Sequence, residues 1–329
     1  MSIKKAINRL KVNLFLIGLI IGSFEHVQAQ DPEFTQFYAN PIYLNPAFAG
    51  THICPRINMN YRNQWPGISG TFVTYSASFD QHSESLHGGL GLLVVNDQAA
   101  NSLKSTRVSG MYSYQMKITR KFSIRLGMEA TFWQKTLDWN KLTFGDMIDP
   151  RRGFVYQTGD IPRGGSRGGL DFSGGLLGFS ETFYFGFAAH HLTQPDESLI
   201  KEHSPLPMKL TAHAGAMIPL AGGASKYKED DAMISPNILY RRQGNFQQLN
   251  MGIYVKKGPL VGGVWYRNKD AFITLIGLQS DLVKIGYSYD VTISKLANAT
   301  AGSHEISFQI NFNCRPKVKT FRTISCPSF

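Results

Sequence analysis

The feature that most constrains this chain is an alternation of period two that begins at residue 56 and returns at intervals up to residue 312. In the run from Arg56 to Trp65, Ile57, Met59 and Tyr61 fall on one face and Arg56, Asn58, Asn60, Arg62 and Gln64 on the other, because successive side chains of a strand alternate. Further on, Phe122, Ile124, Leu126, Met128, Ala130 and Phe132 oppose Ser123, Arg125, Gly127, Glu129 and Thr131. The last such run sets Ile306, Phe308, Ile310 and Phe312 against Ser307, Gln309 and Asn311. Composition agrees with strands: 32 glycines, 12% aromatic and only 17% charged residues suit tight turns and aromatic surfaces, where a helical chain would carry more Ala, Glu and Lys. One such strand fits a water-soluble sandwich as well as a membrane barrel, so the count and the connections must decide.

Strand-like runs occur at 56–65, 71–81, 88–96, 106–117, 122–132, 168–179, 182–192, 208–218, 233–242, 246–256, 260–267, 271–280, 283–291 and 303–312, about fourteen in all. The third is glycine-rich and apolar on both faces. If all are antiparallel neighbours, one rim carries mostly tight turns (81–88, 119–121, 180–181, 258–259, 281–282), with 219–232 as the exception. The other rim carries 66–70, 97–105, 137–167, 194–207, 243–245, 268–270 and 292–302, which include the two longest loops. Short turns inside and long loops outside is the asymmetry of outer-membrane barrels, and strands of about 9–11 residues cross a bilayer at the usual tilt. Only closure satisfies every strand edge in lipid. The expected fold is therefore all-β: a single transmembrane antiparallel β-barrel of outer-membrane type. No segment after the N-terminal region has 18 consecutive apolar residues, and a mean hydropathy of −0.17 is what alternating lipid-facing and lumen-facing residues average to.

The N-terminal region carries Lys4, Lys5, Arg9 and Lys11, an apolar run over 12–22, and Val27-Gln28-Ala29 before Gln30. That is the pattern of a secretory signal peptide, residues 1–29, cleaved between Ala29 and Gln30. The apolar run is too short for a helix to span about 30 Å of hydrocarbon. Cleavage removes four basic residues and one acidic residue, lowering the formal charge from +11 to about +8. An exported chain without basic runs interleaved with aromatics is not expected to bind nucleic acid; anionic lipid headgroups or an acidic partner suit the charge better. The organisation that follows is a periplasmic lead-in or plug at 30–52, a barrel at 53–312 and a periplasmic tail at 313–329, with both termini periplasmic.

The lead-in holds Phe34, Phe37, Tyr38, Tyr43 and Phe48 with two Asn-Pro steps, too apolar for a free tail and too broken for a strand. It is expected to plug the barrel or brace its periplasmic mouth, the alternative being a surface for a periplasmic partner. Arg56, Arg62, Lys117, Arg125 and Lys284 are expected to share the lumen with Asp80, Glu129, Asp290 and Glu305, as a cross-strand ion-pair lattice or as a charged path for substrate. Cys54 begins the first strand and Cys314 follows the last, so a bridge between them could staple the seam; Cys326 could reach either. His190 and His191 are adjacent in a strand reading, which points them to opposite faces and argues against joint metal binding. The run Gly164-Gly165-Ser166-Arg167-Gly168-Gly169 lacks the Lys-Ser or Lys-Thr and the helix of a phosphate cradle. No spacing assembles a nucleophile with its base, so no catalytic residue and no cofactor or metal is assigned.

Gln30-Asp31-Pro32-Glu33-Phe34-Thr35-Gln36-Phe37-Tyr38-Ala39-Asn40-Pro41-Ile42-Tyr43-Leu44-Asn45-Pro46-Ala47-Phe48-Ala49-Gly50, then Tyr61-Arg62-Asn63-Gln64-Trp65-Pro66 and the ending Cys326-Pro327-Ser328-Phe329, resemble the PorP/SprF family, outer-membrane proteins of the type IX secretion system of Bacteroidetes. The resemblance covers essentially the whole mature chain. It implies a barrel without catalytic residues that helps large proteins with C-terminal sorting domains, often gliding or adhesion proteins, reach the cell surface. Its implied partners are outer-membrane lipid, periplasmic components of the type IX and gliding machinery, and adhesin-type cargo. The rival functions are a passive channel for small solutes and a membrane-embedded lipid hydrolase.

Overall fold

The computed structural model describes residues 30–159, 165–199, 203–220, 232–294 and 300–314. The signal-peptide reading of 1–29, Cys326 and the tail from residue 315 lie outside the described residues. Fourteen antiparallel strands close into one barrel. In chain order they are Arg56–Gln64, Phe72–Ser83, Gly88–Ala99, Leu103–Lys117, Phe122–Leu137, Ser166–Ser180, Phe183–His190, Lys209–Ala216, Met233–Gln243, Phe246–Lys257, Leu260–Arg267, Ala271–Gln279, Val283–Thr292 and Ser303–Asn311. Ile218–Pro219 continues the eighth strand along the ninth. Each strand pairs with its neighbours in sequence, and the first pairs with the last from Arg56↔Asn311 to Gln64↔Ser303. A disulfide joins Cys54 to Cys314 just beyond that register, with their Cα atoms 5.5 Å apart.

The wall is inside-out relative to a water-soluble protein. Its outer face shows Met59, Phe79, Leu126, Met128, Phe172 and Val264 to the surroundings, with Leu92 59% and Ile276 67% exposed, while the inner face buries Arg62, Asp80, Ser113, Asp290 and Glu305. An apolar outer band with closed edges is what hydrocarbon demands, since an unpaired backbone group costs several kcal/mol there, of order 4–8 by transfer to an alkane. Among the described residues no helix is long and apolar enough to cross a membrane, which leaves crossing to the strands.

Several strand ends differ from the sequence reading, the fifth strand for example running on to Leu137, and two of the differences bear on the site. The loop expected at 97–105 shrinks to Ala100–Ser102, because the third and fourth strands keep pairing as far as Ala99↔Leu103. Polar side chains there satisfy one another across the ladder: Thr74 Oγ1 donates to Asp97 Oδ1 at 2.6 Å and Asn96 Nδ2 to Thr106 Oγ1 at 2.8 Å. Alternation fades in these residues while the backbone ladder continues. The seventh strand ends at His190, and His191 adopts a φ of +60° outside it. The two imidazoles therefore do not take opposite faces: both are buried, 6.5 Å apart between centroids. The longest connection, between Leu137 and Ser166, contains a two-residue hairpin, Ile148–Asp149 with Gly153–Phe154.

Candidate functional site: the filled lumen

Residues 31–50 lie inside the barrel. Phe34 is buried, and Phe37, Tyr38, Ile42, Leu44, Ala47, Phe48 and Ala49 are buried in a cluster with the inward Leu93, Val95, Met111, Leu177, Leu239, Trp265, Ile273 and Leu275 of the wall. This explains why the third strand reads as apolar on both faces: one face meets lipid and the other meets the segment. The local conformation follows from the Asn-Pro steps. Pro41 and Pro46 open short helical turns, Pro41–Leu44 and Pro46–Phe48, where a missing N–H and a fixed φ cost nothing. Asn45 caps the second turn by accepting from the Ala47 N–H at 2.9 Å. The segment so satisfies part of its own backbone in a space where water is scarce.

The remaining polar groups are met by the wall at successive stations. Near its start, Thr35 N–H and Gln36 N–H donate to the two oxygens of the Glu305 carboxylate at 2.6 and 3.0 Å. Asp290 accepts from Thr35 Oγ1 at 2.7 Å and from Arg62 and Arg267 at 3.1 Å each. Arg62 also reaches Glu305 at 3.4 Å and the Thr35 hydroxyl. Two guanidiniums thus balance two carboxylates around two consecutive residues of the segment, as burial requires. In the middle, Asn40 Nδ2 donates to Ser76 Oγ at 2.7 Å. At its end, the Ala49 carbonyl accepts from Ser113 Oγ at 2.6 Å and Arg125 at 2.8 Å, and Gly50 N–H donates to Asp80, which Arg56 holds at 2.8 Å.

Shape is matched as closely as charge. A Cβ on the inward Gly127 would stand 2.3 Å from the Ala47 backbone nitrogen, and one on Gly175 2.0 Å from Asn45 Oδ1. At these two positions only hydrogen leaves the segment room. Aromatic rings complete the fit, with Phe37 edge-on to Trp265 at 4.9 Å and Phe48 stacked on His213 at 5.3 Å.

Asp31 marks the far end of the segment. It is gripped by Arg107 at 2.6 Å, Lys209 at 2.6 Å and His191 at 2.7 Å, and its N–H donates to Gln243. These partners all lie at the rim that carries the long loops, whereas Gly50 ends beside the start of the first strand at the opposite rim. The expectation of a lead-in that starts at the short-turn rim is corrected at its first described residues: the segment threads the lumen from end to end, because its alternating rings and amides find wall partners along the whole length. Burial alone would raise the Asp31 carboxyl, but Arg107, Lys209 and His191 outweigh it and hold it well below the usual range. Glu33 behaves likewise beside Arg241, 3.4 Å away. Burial disfavours the charged form of His191, yet Asp31 on one ring nitrogen and Asp171 on the other, at 2.6 Å, raise it above its ordinary value. The described part of the next connection, residues 191–199 and 203–208, adds to this end the buried Glu197, which bonds Arg107 at 3.4 Å and Lys135 at 2.9 Å.

Of the charges expected in the lumen, Arg56, Arg62, Asp80, Arg125, Glu129, Lys284, Asp290 and Glu305 are buried there. Glu129 faces His190 at 3.5 Å. Lys117 is the exception: it has inward parity but sits exposed where its strand ends, since parity sets direction and not depth. Sequence reasoning named Asp31 and His191 without their partners, and missed Arg107, Lys135, Asp171, Glu197, Lys209, Arg241 and Arg267. Inward parity was available for Arg107, Asp171 and Lys209, but the partners are joined only by closure. The residues at 61–66 end the first strand, where Tyr61 packs on Tyr75 at 5.2 Å and Trp65 turns the chain with a φ of +59°. Among the described residues no group of three or more His, Cys, Asp or Glu is placed to hold a metal ion.

Solved structures similar to the chain include the crystal structure of the Acinetobacter baumannii outer membrane protein Omp33, 8% identical, covering 80% of this chain and 100% of that one, with a TM-score of 0.43. Another is the KdgM porin, 10% identical, covering 78% and 99%, with a TM-score of 0.37. No curated protein matches. The profile of the type IX secretion system membrane protein PorP/SprF matches residues 26–310, and with the filled barrel in place this chain belongs to that family.

Proposed function

We propose that the protein is a non-catalytic outer-membrane accessory of type IX export that supports delivery or surface attachment of large adhesin- or gliding-type proteins bearing C-terminal sorting domains. Family membership supports the secretion setting. The observation that carries the accessory role is the occupied lumen: residues 31–50 are bonded along the inner wall, so with the segment docked the barrel acts as a platform with two working rims and not as an open conduit. In this reading the short-turn rim meets periplasmic machinery and the long-loop rim meets cargo.

Deletion of the gene followed by surface proteomics tests it. The expected result is selective loss of surface proteins carrying the sorting domain; their presence in normal amounts overturns the reading. The solute-channel alternative makes the opposite prediction in planar bilayers, where the purified protein would show steady conductance.

A further inference from the structure

The ladders of the wall are unequal. The fourth and fifth strands pair fifteen residues, as do the fifth and sixth, and the eighth and ninth pair seven before their short extension. The sixth and seventh pair only six, Gly174 to Phe179 against Ala189 to Tyr184. Three of the six residues on one side are glycine, and the other side offers Gly186, Ala188 and Ala189, so cross-strand side-chain packing is thin. Above that ladder the sixth strand continues to Ser166 paired with the fifth strand but not with the seventh. There the connection from His191 closes the wall by scattered contacts, with Leu192 N–H donating to the Phe172 carbonyl at 3.0 Å and Arg167 reaching the Ser198 carbonyl at 2.8 Å and Asp196 at 3.1 Å.

This seam is tied from within the lumen. The Asn45 amide nitrogen donates to the Leu176 carbonyl at 3.0 Å and the Phe187 carbonyl at 3.2 Å, the two members of one rung and one from each strand. It reaches them through the gap left by Gly175 and Gly186, whose added Cβ atoms would stand 2.0 Å from Asn45 Oδ1 and 3.0 Å from Asn45 Nδ2. Its oxygen is fixed by the Ala47 N–H, so the side chain cannot turn away without undoing the cap. The seam between the first and last strands contrasts with it: nine pairs, a disulfide at one end and the Arg62–Glu305 ion pair across it.

We propose that the seam between the sixth and seventh strands is a lateral gate of the barrel, joining lumen to lipid when it parts, and that Asn45 is the bolt coupling its opening to displacement of the inner segment. Thin packing lets the rung separate, and the two carbonyls held by one amide make the position of residues 45–47 the condition for closure.

Hydrogen exchange of the folded full-length protein in lipid nanodiscs tests this directly. The Leu176 and Phe187 amides are expected to exchange at least tenfold faster than amides of the fourth–fifth ladder such as Gly110 and Ala130. Asn45→Ser, which keeps a capping hydroxyl but loses the amide donor, is expected to add a further several-fold rise confined to the sixth–seventh seam. A Gly178→Cys/Phe185→Cys bridge, placed on an outward register pair, is expected to return the seam to the slow rate. Equal protection of the two ladders in the wild-type protein overturns the gate, and a rise in Asn45→Ser spread evenly round the barrel overturns the bolt. Should Asn45→Ser fail to fold, the wild type with and without the bridge decides: no slowing by the bridge overturns the proposal.

Discussion

Along the fifth strand, Leu126, Met128 and Phe132 face outward with 44%, 65% and 53% of their surface exposed, while Arg125 and Glu129, on the alternate positions, are buried against the inner segment and its supports. The outer residues need only be apolar, because hydrocarbon makes no demand on shape. Their inner neighbours must match one partner in volume, charge and hydrogen-bond direction. A wall with a permissive outside and an exacting inside should tolerate substitution very differently on its two faces.

The largest expected difference comes from a pair of glycines one strand apart. Gly127→Val places a branched side chain where a single Cβ already lies 2.3 Å from the Ala47 nitrogen, so docking of the segment is lost at a cost of about 4–5 kcal/mol, the upper end for a point substitution. On the fourth strand Gly110 has nothing within 4 Å of an added Cβ, and Gly110→Val is expected to change stability by less than about 0.5 kcal/mol. Urea unfolding of both variants in detergent micelles measures the contrast; equal midpoints would break it.

Next in size is Arg62→Ala. It strips one of two guanidiniums from Asp290 and the only arginine contact of Glu305 among the described ion pairs. An uncompensated buried charge costs about 3–5 kcal/mol. The same unfolding assay, with limited proteolysis at residues 30–50, should report both the loss and release of the segment.

The smallest effect sharpens the comparison at the long-loop end, through pH. His191 titrates above its ordinary value when folded, so its contribution is complete below about pH 6.5 and disappears as pH rises through the raised folded value. Asp31 stays ionised throughout, being held well below the usual carboxylate range. Neutral imidazole can donate to only one of the two carboxylates flanking it, a loss of about 1.5–3 kcal/mol for a charge-assisted bond. Stability should therefore fall from pH 6 to pH 9 in the wild type and be flat in His191→Gln.

Much of this was legible in the chain. Alternation is a local property, so strand number, facing and loop parity followed from residues such as Phe122 to Phe132 without knowing any partner. Both candidate ends of the disulfide seam, Cys54 and Cys314, also came from counting strands, although the choice among three cysteines did not. The rest needed closure. Nothing near Asp31 in sequence names Arg107, Lys209 or His191, which arrive from the fourth strand, the eighth and the loop beyond the seventh. Lys117 shows the limit from the other side, having the right parity at a depth where the lumen has already ended.

By itself, then, the sequence determined an all-β barrel with its apolar face outward, because period two couples each residue's direction to its neighbour's. Only the tertiary structure decided that residues 31–50 run the length of the lumen and that Asn45 ties the thinnest seam of the wall. Those contacts join groups up to 271 positions apart, as between Gln36 and Ser307, and their pairing depends on register and closure that no local pattern encodes.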